Sequence, residues 1–428
     1  MSPRAAVAAV AVVAAIAPLS ACGGGGSGGG SSDASGPVKG TITFQTWNLK
    51  ANFKSYFNGV IADFQKQYPG TKVKWVDQPA DGYADKLSAD AAGGTLPDVV
   101  NVTPDLLAPL AKAGIALDLD KSASKYTKEY LPGAWKADQV PGLNGTYAFP
   151  WYLNTGPLFY NKSLFTKAGL DPEQPPTSYD DLFSDALKIA KQSGGKIATL
   201  ANVPTIEDFG RYGAQLTTAD GTGFAFNDAK GVELLTHYKE LYDAGALDSQ
   251  ALTATPESSG HKFLTESVAM NPGSALDLDN FKKQAPNLYK NIGITNQITS
   301  TGKVNMYVQS VMVNAKTKQK PAAVAFAHFV TDATRQMSFA KQVAIFPSTA
   351  NSLNDPYFTK EDGTDATRVR IAAAKSLQNA VNYTPVQFSD QMKTELGNEV
   401  AKALQGKQSP KDALDKAVKS CDQLLQQS

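Results

Sequence analysis

The chain of 428 residues is 42% hydrophobic and 19% charged, with 41 Lys and Arg against 40 Asp and Glu. That length holds two or three domains with a sizeable core, which excludes a disulfide-stapled mini-protein and a largely disordered chain. A net charge of +1 argues against nucleic acid or anionic membrane as a partner of the whole surface, although a local patch escapes that test. Three His and two Cys leave little for zinc sites or Cys-His catalysis.

The N-terminus reads as an address. Arg4 precedes an apolar run over residues 5–17, too short to span a membrane and right for a signal-peptide core. Leu19-Ser20-Ala21-Cys22 resembles the bacterial lipobox, which implies residues 1–21 as signal peptide and Cys22 as the lipidated residue; an ordinary secretory signal with an incidental Cys22 is the alternative. Residues 22–39 then form a Gly/Ser-rich stretch with too little apolar surface to order itself, a tether reaching roughly 20 Å at about 5–6 Å × √n. Its Gly25-Gly26-Ser27-Gly28-Gly29 matches the hydrolase nucleophile elbow in letters only, since the strand and helix that elbow needs are missing. With Cys22 in lipid, Cys421 has no partner and is expected to pack as a small hydrophobe; an intermolecular disulfide is the alternative.

Beyond the tether, strands alternate with helices. Residues 41–47 alternate around Ile42 and Phe44 and predict a strand ending on Trp47-Asn48. Phe53, Phe57, Val60, Ile61, Phe64 and Tyr68 recur at steps of three and four, one face of a helix stopped by Pro69-Gly70. A strand over 73–76, a helix over 81–92 closed by Gly93-Gly94, a buried strand over 98–102 and a helix from Pro104 to near Gly114 follow. This is α/β text, and in mostly parallel sheets ligands bind beyond the carboxyl ends of strands, which points to Trp47-Asn48 and to residues 101–105. Further on, an aromatic-rich strand over 147–154, a turn, and an amphipathic helix over 179–191 led by Asp180 and Asp181 complete the regular part.

Six blocks in order carry a resemblance. They are Ile42-Thr43-Phe44 with Trp47; Leu96-Pro97-Asp98-Val99-Val100; the Leu-Ala-rich stretch 110–120; Phe149-Pro150 through Tyr160-Asn161-Lys162; the stretch 263–273; and the helix text 322–330 followed by Phe346-Pro347-Ser348. Together they resemble the extracellular solute-binding proteins of ABC sugar importers, family 1, similar to maltose-binding protein. The resemblance implies a two-lobed periplasmic-binding-protein-like fold of type II, with a ligand cleft that closes by a hinge. Lobe 1 is expected over 40–152 plus about 293–345 and lobe 2 over 153–292 plus about 346–428, with chain crossings near 151–154, Gly293 and Phe346.

A sugar site needs flat aromatics against C–H faces and polar groups for hydroxyls, since a buried polar group left unpaired costs about 1–3 kcal/mol. By position against the family blocks, the resemblance implies Trp47, Asn48, Asp105, Trp151, Asn154, Asn271 and Gly273 in the site, with Trp151 as stacking platform. Tyr83, Arg211, Tyr307, Gln309 and Gln387 are further candidates. The alternative for Trp47 and Trp151 is a core residue at a strand end, and for Asp105 capping or pairing on the surface. Trp75 and Trp135 read as core, and Asp98 as holding a loop through backbone N–H groups. Where relatives often carry a tryptophan after the glycine, this chain has Gly273-Ser274-Ala275-Leu276, so one platform is missing.

No cofactor and no metal are implied: His237, His261 and His328 are far apart, and Asp118-Leu119-Asp120 and Asp277-Leu278-Asp279 lack EF-hand spacing. The partners implied are a small sugar, permease transmembrane subunits with a cytoplasmic ATPase behind them, and the membrane through the lipid; nucleic acid is not implied, and a monomer is. The expected place is the outer face of the bacterial cell membrane. Two alternatives stand beside a sugar receptor: the same receptor fold for a polyol phosphate, polyamine or peptide, and a lipid-anchored glycoside hydrolase, which needs two carboxylates about 5–10 Å apart.

Overall fold

A computed structural model describes residues 34–253 and 256–427; the signal peptide, Cys22 and most of the tether lie outside them. Among the described residues are nine strands: β1 Gly40–Trp47, β2 Thr71–Gln78, β3 Val99–Val102, β4 Ala148–Asn154, β5 Leu158–Asn161, β6 Met270–Pro272, β7 Ile292–Thr295, β8 Tyr307–Val313 and β9 Phe346–Pro347. They form a six-stranded sheet in the order β2-β1-β3-β8-β4-β9 and a three-stranded sheet in the order β6-β5-β7. β1 runs parallel to β2 and β3, whereas β8 runs antiparallel to β3 and β4.

The large sheet is covered on both faces, which is why its central strands β3, β4 and β8 are buried along most of their length, whereas edge strand β2 alternates buried and exposed residues. Val99, Val311 and Val313 point into a core with Ile42, Phe44, Phe57 and Phe326. Val100, Val102 and Met312 face the other way, against Leu107 and Leu110 of helix Pro104–Lys112. The expected stripe on helix Lys50–Gln67 is realised by Phe57, Val60 and Phe64, all buried. In the small sheet, Leu158 and Tyr160 of β5 enter a second core with Phe209, Leu234 and Leu396. Phe159 packs on the opposite side with Phe263 and Phe281.

The lobes are therefore discontinuous, but the boundaries differ from the sequence expectation. β7 pairs with β5, so residues 292–295 belong to the second sheet and the crossing falls after them, not at Gly293. Phe346-Pro347 does not leave the first lobe. It pairs with Leu153 and Tyr152 of β4, and the Ser348 hydroxyl donates to Pro150 O at 2.7 Å. Leu353, Phe358, Ala374, Leu377 and Ala380 continue in the first core, and only from Phe388 onward do residues enter the second. Helix Asp365–Leu377 touches both, Val369 packing with Phe159 while Ala373 and Leu377 pack with the first lobe.

Three crossings result, over 155–157, 296–306 and 381–387, and one polar knot ties them. Gln297 Nε2 donates to Thr155 Oγ1 at 2.8 Å and the Asn305 N–H donates to Gln297 Oε1 at 3.0 Å. The Tyr383 N–H donates to Asn305 Oδ1 at 3.0 Å, and Asn305 bridges to Val381. Asn305 is buried, and its hydrogen bonds join three chain segments far apart in sequence. Near the C-terminus, Cys421 is fully buried as expected for a small hydrophobe, and burial pushes its thiol up to about 12.

Candidate ligand-binding site

Two adjoining cavities lie beside the crossings. The inner one, about 450 Å³, is lined by second-lobe residues including Asp208, Arg211, Tyr238 and Asn271 together with Gln297 and Asn305 of the polar knot. The outer one, about 430 Å³, takes Thr103 and Asp105 from the first lobe, Asn154 and Gln309 from the strand ends, and Thr384 and Lys393 from beyond the third crossing. Glu207 and Tyr307 line both.

Each side chain is placed by its element. β4 and β8 end at the cleft, where Asn154 and Tyr307 are cross-strand partners. Tyr307 is 55% exposed, the most exposed large aromatic among the described residues, so its ring is open to a ligand. Its hydroxyl is pushed up to about 12 by partial burial first and then by the negative charges of Glu207 and Asp208. Asp105 stands exposed in the first turn of its helix, where an acid is favoured by the dipole.

Glu207 and Asp208 open helix Ile206–Tyr212 through a capping box: the Thr205 N–H and hydroxyl donate to Asp208 Oδ2 at 2.8 and 3.0 Å. Asp208 Oδ1 accepts from Arg211 Nη2 at 2.5 Å and from the Tyr179 hydroxyl at 2.8 Å, so this carboxylate is fully committed. Arg211 also donates to Ile298 O at 3.1 Å. Lys393 pairs with Asp390 at 2.7 Å. Glu207 accepts from the Thr384 hydroxyl, and neither it nor Asp105 has an ion-pair partner among the described residues. Exposed Asp105 and half-buried Glu207 thus bring two carboxylates without ion-pair partners from opposite lobes. Arg211 and Lys393 each have a carboxylate partner, Arg211 keeping its buried Nε without a hydrogen bond among the described residues and Lys393 pairing at the surface.

The candidates from sequence divide accordingly. Asp105, Asn154, Arg211, Asn271, Gly273, Tyr307 and Gln309 line the cavities. Trp151 does not: it is fully buried, its ring packed on Phe44, Phe57 and Phe339, so it is core and not a platform. Tyr83 is buried too, donating to Asn101 O at 2.8 Å and packed edge-on against Trp47. Trp47, half-buried against that ring, and exposed Asn48 are not among the lining residues of either cavity. Gln387 donates to Gly221 O at 3.3 Å and lines neither. Gly273 is glycine for packing as much as for ligand, since a Cβ there would fall inside the Phe159 ring. Sequence reading missed Glu207, Asp208, Asn202 and Thr384. The signal for Asp208 was the capping-box text Thr205-Ile206-Glu207-Asp208, which leaves Glu207 an ordinary first-turn acid. Asp98 ties β1 to a loop rather than holding a loop through backbone N–H groups: it accepts from the Thr43 N–H of β1 at 2.7 Å and from the Thr317 hydroxyl.

A family model described as bacterial extracellular solute-binding protein matches residues 50–337. The chain belongs to that family. This solute-binding protein is 24% identical over 406 residues to a binding protein of Brucella abortus, covering 92% of this chain and 95% of that one. It is 25% identical over 324 residues to the sn-glycerol-3-phosphate-binding periplasmic protein of Escherichia coli, covering 67% and 70%. The fold matches the sugar-binding protein of Xanthomonas citri at a TM-score of 0.73 and 20% identity, over 91% of this chain and 98% of that one. The architecture is the type II periplasmic-binding-protein fold, and the family consists of binding proteins of ABC importers rather than enzymes.

Proposed function

We propose that this protein is a lipid-anchored receptor, monomeric on the outer face of the bacterial cell membrane, that captures a neutral sugar or oligosaccharide and presents it to an ABC importer permease. The observation that carries the substrate class is the charge state of the cleft. Asp105 and Glu207 are carboxylates without ion-pair partners among the described residues, suited to accept from sugar hydroxyls, and Tyr307 offers an open ring to a C–H face. The Escherichia coli relative's glycerol phosphate favours a second reading, a phosphorylated polyol. Against it, Arg211 and Lys393 are both held by carboxylates, so a phosphate entering the cleft meets unopposed negative charge. Cys22 as the lipid anchor rests on the lipobox resemblance.

The test is a thermal-shift screen of the protein against mono-, di- and oligosaccharides, polyols, sn-glycerol 3-phosphate, amino acids and polyamines. Ligand at about 100 times its dissociation constant adds roughly 2.7 kcal/mol. A response to one sugar class is expected; a response to glycerol phosphate or a polyamine alone would keep the receptor and overturn the substrate class. For the anchor, Cys22→Ser moves the protein from the salt-washed membrane fraction to the soluble one, and retention there would refute it.

A further inference from the structure

One pole of the first lobe carries a charge that the nearly neutral chain as a whole does not. β1 and β2 start together, Gly40 beside Thr71, so Lys39 stands at that end just before β1 and Lys72 and Lys74 in the first half of β2. β8 runs the opposite way, pairing Val313 with Val99, so the loop bearing Lys316 and Lys318 emerges at the same end. Helices Lys50–Gln67 and Pro104–Lys112 begin at the cleft end of the sheet and return to this one, delivering Lys66 and Lys112 in their last turns. All seven lysines are exposed, and none is ion-paired among the described residues.

The acids here are largely committed. Asp98 is bonded to Thr43 and Thr317, and Asp90 pairs with Lys86. Asp63, one helical turn before Lys66, offsets that lysine in part. Lys66 and Lys112 also favour helix C-termini, and Lys72 and Lys74 protect the open edge of β2. Neither role accounts for Lys39, Lys316 and Lys318, which stand on loops; Lys316 and Lys318 border a groove of about 350 Å³ together with Thr41 and Asn314.

The chain enters the lobe at this same pole, where a Cβ at Gly36 would lie 3.4 Å from Pro321. Seventeen positions upstream of Lys39 is Cys22. We infer that the lysine pole is a resting face for an anionic phospholipid surface, which parks the receptor on the membrane beside its anchor. The inference rests on the anchored-receptor reading for its orientation. Trp47 and the cleft lie at the other end of β1, about 23 Å of strand away, so a receptor seated on this face keeps its cleft open to solute.

Each lysine held at an anionic leaflet strengthens association about fivefold, equivalent to about 1 kcal/mol. The experiment sediments the unlipidated chain, carrying Cys22→Ser, with vesicles of phosphatidylglycerol or of phosphatidylcholine. Binding to phosphatidylglycerol alone is expected, with release near 1 M salt, where the screening length is about 3 Å. Lys39→Gln, Lys316→Gln and Lys318→Gln together should weaken it on the order of a hundredfold at unchanged melting temperature. A control triple on the second lobe, Lys191→Gln, Lys196→Gln and Lys407→Gln, should leave it nearly unaltered. Equal loss with both triples, equal binding to both lipids, or no binding to either overturns the inference. Membrane release of Cys22→Ser after a salt wash reports on the anchor separately, so the two readings fail independently.

Discussion

Replacing Tyr307 with alanine tests the site at its most exposed aromatic. A tyrosine contributes about 150–250 Å² of burial, and 55% of this one remains exposed, so roughly 110 Å² is available to a ligand. A sugar ring covers about half of that, one face, and at about 25 cal/mol per Å² the contact stabilises the complex by about 1.4 kcal/mol. That is a tenfold rise in dissociation constant for Tyr307→Ala, read by titration calorimetry with the sugar found in the screen. Tyr307→Phe keeps the ring and loses only the hydroxyl's hydrogen bond, a net contribution of about 1 kcal/mol at most, so its loss should be the smaller. Because more than half of the side chain is exposed, neither variant should shift the melting temperature of the unliganded protein by more than a few degrees. A Tyr307→Ala affinity within twofold of the parent would refute the platform, and a larger loss with phenylalanine than with alanine would refute the stacking geometry.

Trp151→Ala should act on stability instead. Its ring fills the space among Phe44, Phe57 and Phe339, so truncation should cost about 3–5 kcal/mol in urea unfolding; unchanged stability with lost ligand response would restore it to the site. Asp138 gives a pH-dependent test. It is fully buried, and that burial raises its pKa well above the ordinary value; the one hydrogen bond to its carboxyl among the described residues comes from the Ser310 hydroxyl at 2.7 Å. The folded state thus holds the proton more tightly than the unfolded chain, so the group's contribution is fully present below about pH 3.9 and is lost as pH rises toward its folded pKa. Asp138→Asn removes this loss, so its stability advantage over the parent should grow between pH 4 and pH 7 at up to about 1.4 kcal/mol per pH unit. An advantage independent of pH would show that Asp138 is ionised in the fold.

The regular elements of the first lobe were legible because their signals are local. Ile42 and Phe44 alternate, Phe57, Val60 and Phe64 repeat at helical steps, and Pro69-Gly70 or Gly93-Gly94 end what precedes them. Asn154 was legible as the last residue of a strand running toward the cleft. Trp151, three positions earlier, was not: whether its side of β4 faces ligand or core depends on Phe339, which arrives from a helix far along the chain. The crossing misplaced at Phe346 has the same origin, since the Phe-Pro pair becomes a first-lobe strand only by finding Leu153 and Tyr152. Glu207 stayed hidden because a capping box explains its neighbour Asp208 and leaves Glu207 as an ordinary first-turn acid. Only the third dimension shows that it faces a cavity shared with Asp105.

That pairing bears on how closure depends on cargo. A ligand drives closure only through its greater affinity for the closed form. Asp105 rides on the first lobe and Glu207 on the second, both lining one cavity of about 430 Å³ without cationic partners. Closing the empty cleft moves two like charges toward each other and strips water from both, which opposes an unloaded closed state. Hydroxyl donors placed between them reverse the sign, because each carboxylate then accepts charge-assisted hydrogen bonds of about 1.5–3 kcal/mol that the open form offers only to water. An anionic solute adds a third negative charge to the same space. On the proposed reading the two carboxylates therefore act twice, opposing closure of the empty receptor and disfavouring a phosphorylated cargo.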